Sequence, residues 1–272
     1  LRWAVLGTGQ AAQRVAPYLD VAAVGTREPG SPHAAAFAGA LAPRAALGSY
    51  AAALADARVQ AVYIALPTSL KEEWALKAIA SGRHLLIEKP PGADAASARR
   101  IAAACTRERV VCLDGTAWLH HPRTAALRSL RRRVVAAAGH FRIWGPDSGD
   151  IRLNPALEPS GAVGDLCWYA VGWVRWAFGE KPRRLRSRVS RDANGVVVHA
   201  EAEALFGAGR SAEVSCSFGR GDEQHASLDS PFATVELQSW FDGSWREERG
   251  GVMREAGSTA PGARRGAESC GR

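Results

Sequence analysis

From Arg2 to Thr116 short apolar runs alternate with helix-length stretches, and this alternation limits the fold more than any other feature. LRWAVLG, VAAVGT, a weak run near Leu47, VQAVYIALP, HLLIEK and VVCLDGT read as strands. Between them lie QAAQRVAPYL, which Pro17 bends or ends, an Ala-rich segment, SLKEEWALKAIASG and ASARRIAAACTRE. Strands separated by helices of this length pair in parallel through right-handed crossovers, giving a doubly wound sheet. VQAVYIALP is apolar almost throughout, as a strand covered on both faces must be. Ser69 followed by Glu72 predicts a capping box, Gly82 a stop, and Asp94 the N-cap of the next helix.

Beyond Trp118 the pattern changes. A helix over RTAALRSLRR, a strand over VVAAAGHFRIWG and a long helix within SGAVGDLCWYAVGWVRWAFG precede the β-like runs RRLRSRVS, VVVHAEAEALF, SAEVSCSF and FATVELQSW. The expectation is an α/β domain over residues 1–118 and an α+β domain with a mainly antiparallel sheet over residues 119–249. Residues 250–272, rich in Gly, Ala, Ser and Arg without periodicity, are expected to be poorly ordered.

Composition narrows the function. With 272 residues, 47% of them hydrophobic, the chain can fill two cores, and no apolar run reaches the roughly 18 residues that a membrane helix needs. Cys105, Cys112, Cys167, Cys216 and Cys270 form no C-x-x-C pair and no zinc spacing, which fits a reducing compartment without a bound metal. The expected address is the cytoplasm, with a targeting peptide, for example to a plastid, outside the sequence as the open alternative. The net charge of +8 comes largely from arginines such as Arg131 to Arg133 and Arg184, Arg186 and Arg188. They read either as a nucleic-acid patch or as solvated helix and strand faces; without a nucleic-acid module the second is favoured, and neither nucleic acid nor membrane is expected as a partner.

In LLIEKPPG a buried-strand pattern runs directly into Glu88 and Lys89. Charges there are costly inside a sheet and useful at the carboxyl ends of its strands, where doubly wound sheets bind ligands. The first strand is followed by Gly7-Thr8-Gly9-Gln10-Ala11-Ala12, a G-x-G-x-x-A sequence. Its glycines suit a tight turn and close approach to a pyrophosphate at a helix N-terminus. After strand two stand Thr26, Arg27 and Glu28. Thr26 and Arg27 suit the 2′-phosphate of NADP, Glu28 argues for NAD, and Arg27 also reads as a solvated loop residue.

With ALPTSL, EKP, LDGTAWLHHPRT and DIRLNP followed by SGAVGDLCWYA, in this order, the chain resembles the glucose-fructose oxidoreductase, inositol dehydrogenase and MocA family of NAD(P)-dependent oxidoreductases. Within it the chain is similar to the branch of dimeric dihydrodiol dehydrogenase and NADP-dependent xylose dehydrogenase. The resemblance implies a Rossmann domain, a substrate domain whose open sheet pairs with a second copy, and a small-molecule diol, sugar or related alcohol or carbonyl as substrate. It implies that Lys89 is the catalytic lysine beside the nicotinamide, with Leu66, Pro67, Thr68 and Glu88 contributing to the cofactor site. It also implies that Tyr169, where many relatives carry histidine, is the acid/base. Relatives often have histidine at the place of Lys71, and they continue beyond the unpatterned tail.

Residue chemistry agrees. Asp165 and Tyr169 share a helix face at i, i+4. A phenol with a pKa near ~10 becomes a useful proton acceptor near neutral pH only beside a cation, a role open to Lys89, with Asp165 orienting the substrate or Lys89. On the residues alone Tyr169 reads rather as packing in WYAVGWVRW, and the resemblance reverses that preference. Trp118, His120, His121, Arg123 and Arg152 are substrate-cleft candidates, with loop capping or surface exposure as the alternatives. Against the enzyme stands a catalytically degenerate dinucleotide-binding protein.

Overall fold

The structure is a computed structural model that describes residues 1–41, 45–219, 221–241, 245–250 and 252–256. It divides into two compact units, one of residues 1–115 and 150–160, the other of residues 116–149 and those from 161 onward.

The first unit is a parallel sheet in the order β3-β2-β1-β4-β5-β6. Its strands are β1 (Arg2–Leu6), β2 (Asp20–Gly25), β3 (Ala46–Gly48), β4 (Ala61–Ile64), β5 (His84–Ile87) and β6 (Cys112–Asp114). Its helices are α1 (Gln10–Val15), α2 (Pro32–Leu41), α3 (Tyr50–Ala55), α4 (Thr68–Ala80) and α5 (Ala95–Glu108). All four residues of β4 are buried, which explains its unbroken apolar run. Pro17 ends α1 in a 3₁₀ turn over Ala16–Tyr18. Asp94 caps α5 in a reciprocal box with Ser97.

The expected box at α4 does not form. Pro67 occupies the N-cap, so Ser69 lies inside the first turn, and Glu72 instead receives Arg100 from α5 at 2.5 and 2.9 Å. The Thr68 N–H donates to Glu158 Oε1 at 3.0 Å, and the Ser69 N–H to Leu157 O at 3.0 Å. A carboxylate at a helix N-terminus is favourable; this one arrives from 90 residues away. These bonds, with Ser160 Oγ donating to Ala93 O at 3.1 Å, place residues 150–160 in the first unit although they lie beyond Leu119 in sequence.

The second unit is an eight-stranded sheet in the order β14-β13-β12-β11-β7-β10-β9-β8. Its strands are β7 (Ala136–Trp144), β8 (Arg184–Arg191), β9 (Val197–Leu205), β10 (Ser211–Gly219), β11 (Glu223–Asp229), β12 (Thr234–Leu237), β13 (Trp245–Arg249) and β14 (Val252–Ala256). β10 pairs with β7 in parallel and the other pairings are antiparallel. The helix expected over RTAALRSLRR is short, α6 (Pro122–Ala126) followed by a 3₁₀ turn over Leu127–Leu130. The long helix opens with a π turn, Val163–Cys167, and continues as α7 (Trp168–Phe178). The tail expectation is corrected for residues 252–256, which pair antiparallel with β13 and so gain backbone hydrogen bonds that no side-chain period announces. Residues 257–272 lie outside the described residues.

Every residue of β8 is exposed, as the solvated-face reading expects, while part of the arginine clusters also has partners. Arg131 Nε donates to Trp176 O at 2.9 Å and the Arg132 N–H to Ala177 O at 2.7 Å, both at the C-terminus of α7, where cations are favoured. Arg133 lies 5.4 Å from the Phe232 ring centroid. On β8, Arg186 and Arg188 face Glu203 and Glu201 of β9. No described helix is long and apolar enough to cross a membrane, and no group of three or more His, Cys, Asp or Glu among the described residues is arranged to hold a metal.

Gly139 fixes how closely α7 lies on β7, because a Cβ there would stand 2.9 Å from Ala170 Cα and Cβ. Gly139→Ala is expected to lower stability by about 1–3 kcal/mol in chemical denaturation. Gly149→Ala, where nothing lies within 4 Å, is the control. Equal midpoints for the two variants would contradict this packing.

Candidate functional site

At the end of β1 the chain turns through Gly7, at φ +102°, whose N–H donates to Gly25 O at 2.9 Å. A Cβ at Gly7 would meet Ala65 O at 2.4 Å, so only glycine fits there. At Gly9 a Cβ would meet nothing within 4 Å, leaving the backbone open to a ligand, and Ala12 is fully buried against the sheet. Gln13 Nε2 donates to Thr8 O at 3.3 Å, and His33 Nε2 lies 3.1 Å from the same oxygen, a donor in the matching tautomer. Gln10 and Ala11 open α1. This is a cradle of the kind a dinucleotide pyrophosphate requires, so the residues present fit that cofactor.

After β2, Thr26 is buried, with its N–H donating to Gly48 O at 3.0 Å and its Oγ1 accepting from the Glu28 N–H at 3.4 Å. The Arg27 side chain is 80% exposed, 3.5 Å from Glu28 Oε1. An ion pair so exposed is worth little, and it leaves Arg27 open to a stronger anion.

At the carboxyl ends of β4 and β5 the Glu88 carboxylate and the backbone of Lys89 find specific partners. The Glu88 N–H donates to Ile64 O at 2.9 Å. Glu88 Oε1 accepts from the Tyr63 hydroxyl at 2.8 Å and Oε2 from the Lys89 N–H at 3.2 Å. Burial first, and the adjacent Glu88 charge second, push the Tyr63 phenol far above its ordinary pKa, so it remains a donor through the alkaline range. Gly115 leaves room for the carboxylate, since a Cβ there would lie 3.1 Å from Glu88 Oε2. Leu66 and Thr68 are buried beside half-buried Pro67 where the chain passes from β4 into α4. Lys71, on α4, is only 3% exposed, and its Nζ donates to Thr68 Oγ1 at 3.3 Å, Lys89 O at 3.1 Å and Pro90 O at 2.9 Å. The Lys89–Pro90 peptide is cis.

In the second unit Tyr169 is 9% exposed among aromatic rings, with centroids 5.3 Å from Phe141, 5.5 Å from Phe241 and 6.1 Å from Trp240. Trp118 lies 6.2 Å from Trp240 and 5.8 Å from Trp173. The indole N–H groups of Trp118 and Trp240 are buried without a hydrogen-bond acceptor. Asp165 is half-buried in the π turn, a feature that often marks functional sites. His121 Nδ1 accepts from the Arg123 N–H at 3.1 Å and so caps α6. The buried Arg123 donates through Nη1 to Ser239 O at 2.9 Å and through Nη2 to Trp240 O at 3.3 Å, while His120 is exposed. Arg152 is in the first unit, with its Nε 3.3 Å from Asp150 Oδ1.

Tyr63, His33, Glu158, Trp240 and Phe241 were not singled out in the sequence. Lys71 carried a legible signal. It stands in the buried stripe Thr68, Lys71, Ala75, Ala78 and Ile79, where a cation has no ordinary reason to be.

Residues 1–116 match the model of an oxidoreductase family with an NAD-binding Rossmann fold, and residues 133–254 match the GFO/IDH/MocA C-terminal domain. A D-xylose 1-dehydrogenase (NADP(+)) of Haloferax volcanii is 29% identical over 82% of this chain and 69% of its own length. A trans-1,2-dihydrobenzene-1,2-diol dehydrogenase of Oryctolagus cuniculus is 29% identical over 56% of this chain and 47% of its own. A solved 3-ketoreductase from Actinomadura kijaniata, in complex with NADP and TDP-benzene, has a TM-score of 0.83 at 21% identity and covers 94% of this chain and 84% of its own. Since both halves match in the order in which the two sheets follow one another, the chain belongs to the Gfo/Idh/MocA family of oxidoreductases.

Proposed function

We propose that the protein is an NADP-dependent oxidoreductase that moves a hydride between nicotinamide and a diol, a sugar or a related alcohol or carbonyl. The observation that carries this reading is the pairing, within one unit, of an open Gly9 cradle with the Glu88-Lys89 corner at the carboxyl ends of the same sheet. The names of the relatives support the substrate class, and residues 1–118 and 119–249 take the roles of cofactor and substrate domain.

The dinucleotide supplies or accepts the hydride when bound. Gly7, Thr8, Gly9, Gln10 and Ala11 hold the pyrophosphate, Thr26 and Arg27 the 2′-phosphate, and Leu66, Pro67, Thr68 and Glu88 border the nicotinamide half. Tyr169 gives or takes the substrate hydroxyl proton, and Lys89 is the lysine assigned to the catalytic step. Asp165 orients the reacting groups. Trp118, only 3% exposed and packed against Trp240 and Trp173, stiffens the aromatic cluster of the substrate domain rather than presenting a face to substrate. The open face of the second sheet, with a hollow of about 300 Å³ bordered by His140, Arg142, His199 and Glu223, is assigned to a second copy of the chain.

If Arg27 binds the 2′-phosphate, titration gives tighter binding of NADPH than of NADH. Arg27→Ala weakens NADPH alone, by about 1.5–3 kcal/mol for a charge-assisted contact. Equal affinities in the parent would remove the NADP assignment.

Tyr169→Phe keeps the ring and removes the proton, so turnover is expected to fall roughly 10²- to 10⁴-fold with NADPH binding retained. Lys89→Met is expected to lower turnover, again with NADPH binding retained. The Tyr63 phenol contributes no alkaline limb to the pH profile, because it does not ionise in the range. Parent rates in both Tyr169→Phe and Lys89→Met would refute the assigned roles. NADPH binding without turnover of any aldose, diol or dicarbonyl would favour the degenerate dinucleotide-binding protein.

A further inference from the structure

Lys71 breaks two local rules. It is a cation in the first turn of a helix, where the dipole opposes positive charge, and its ammonium is almost wholly withdrawn from water. Such conflicts persist where a residue does something for a site. Its Nζ reaches out of α4 to two consecutive carbonyl oxygens, those of Lys89 and Pro90.

The orientation of Lys89 depends on two peptide planes, the one carrying its N–H and the one carrying its C=O, because the backbone has only two soft torsions per residue. Glu88 Oε2 accepts from the N–H, and the carboxylate is itself held by the Tyr63 hydroxyl. Lys71 Nζ donates to the C=O. Glu88 thus holds the first plane and Lys71 the second, and the direction in which the Lys89 side chain leaves the backbone follows from both.

We infer that Lys71 is a positioning residue for Lys89: its buried ammonium locks the peptide groups of Lys89 and Pro90 so that the Lys89 side chain is presented in one fixed direction. This rests on the reading of Lys89 given above as far as catalysis is concerned. The clamp itself is a property of the first unit alone. Removing it costs order in the loop, and the effect on catalysis falls on the chemical step rather than on cofactor affinity.

The test uses the full chain as parent, Lys71→Met and Lys71→Gln, with two readouts. The first is amide hydrogen exchange of the peptide spanning Glu88 to Gly92, in which Pro90 and Pro91 carry no amide, so that the Lys89 N–H, on the Glu88 side, and the Gly92 N–H, beyond the two clamped carbonyls, report the order of the loop. The second is kcat, with NADPH affinity measured separately and the primary isotope effect taken with 4-deuterated NADPH. Lys71→Met is expected to exchange about tenfold faster or more at this segment and to lose on the order of 10²-fold in kcat, with a larger isotope effect and NADPH affinity little changed. The Gln amide ends one bond short and cannot span both carbonyls, so Lys71→Gln should fall between Met and parent; it decides the matter if the Met variant does not fold. A variant that is merely less stable keeps the parent kcat per folded molecule and the parent isotope effect, which would overturn the inference. Parent exchange rates in both variants would do the same. Faster exchange in a protein whose parent transfers no hydride leaves the clamp standing and removes the function assigned to Lys89.

Discussion

Charged groups at the carboxyl edge of a parallel sheet must be held there by other polar groups, because the strands beneath them are dry. In this protein the four residues of β4 and the end of β5 are buried, and the chain passes from Ile87 directly to a carboxylate and an ammonium. Everything near that corner serves this requirement. Tyr63 spends its hydroxyl on Glu88, Glu88 receives the Lys89 N–H, and Lys71 supplies a cation to the next two carbonyls. Gly115 keeps the space clear, and Glu158 places a carboxylate at the opening of α4, the helix that carries Lys71. Partnered in this way, the groups lose little on burial and little freedom later, when order matters for chemistry.

The second unit solves a different problem with aromatic packing. α7 lies directly on β7 because Gly139 has no side chain, and this brings Tyr169 among Phe141, Trp240 and Phe241. A phenol so placed is stiff, with its ring fixed by edge-on contacts. Trp240, 6.1 Å from Tyr169 between ring centroids, carries the cluster on to Trp118. The π turn before α7 carries Asp165, so the chain departs from regular helix where the expected site residue stands.

Much of this was legible because burial imposes a period. The alternation of strands and helices in the first unit, the Asp94 cap and the glycine turn after β1 are local in sequence, and the structure has them. The α4 cap was misread because a local pattern, Ser69 and Glu72, lost to Pro67 and to a carboxylate 90 residues distant. β11 and β13 were missed because EQHASLD and WREER bury little apolar surface, so no hydrophobic period marks them. The arginine runs were ambiguous in sequence because charge shows nothing of what faces it; on the fold they meet helix carbonyls, a phenyl ring and glutamates across a strand. Tyr63 stayed hidden because an aromatic residue inside an apolar run looks like core until the partner of its hydroxyl, Glu88, is in view.

The most direct test of the account is the fate of the hydrogen it claims is moved. The protein would be incubated with NADPH deuterated at C4, each stereoisomer in turn, and a panel of aldoses, ketoses and dicarbonyls, and the products read by mass spectrometry. The account predicts deuterium on the reduced carbon of at least one product, delivered from one of the two stereoisomers and absent with the other. Bound NADPH that transfers deuterium to no member of the panel would contradict it.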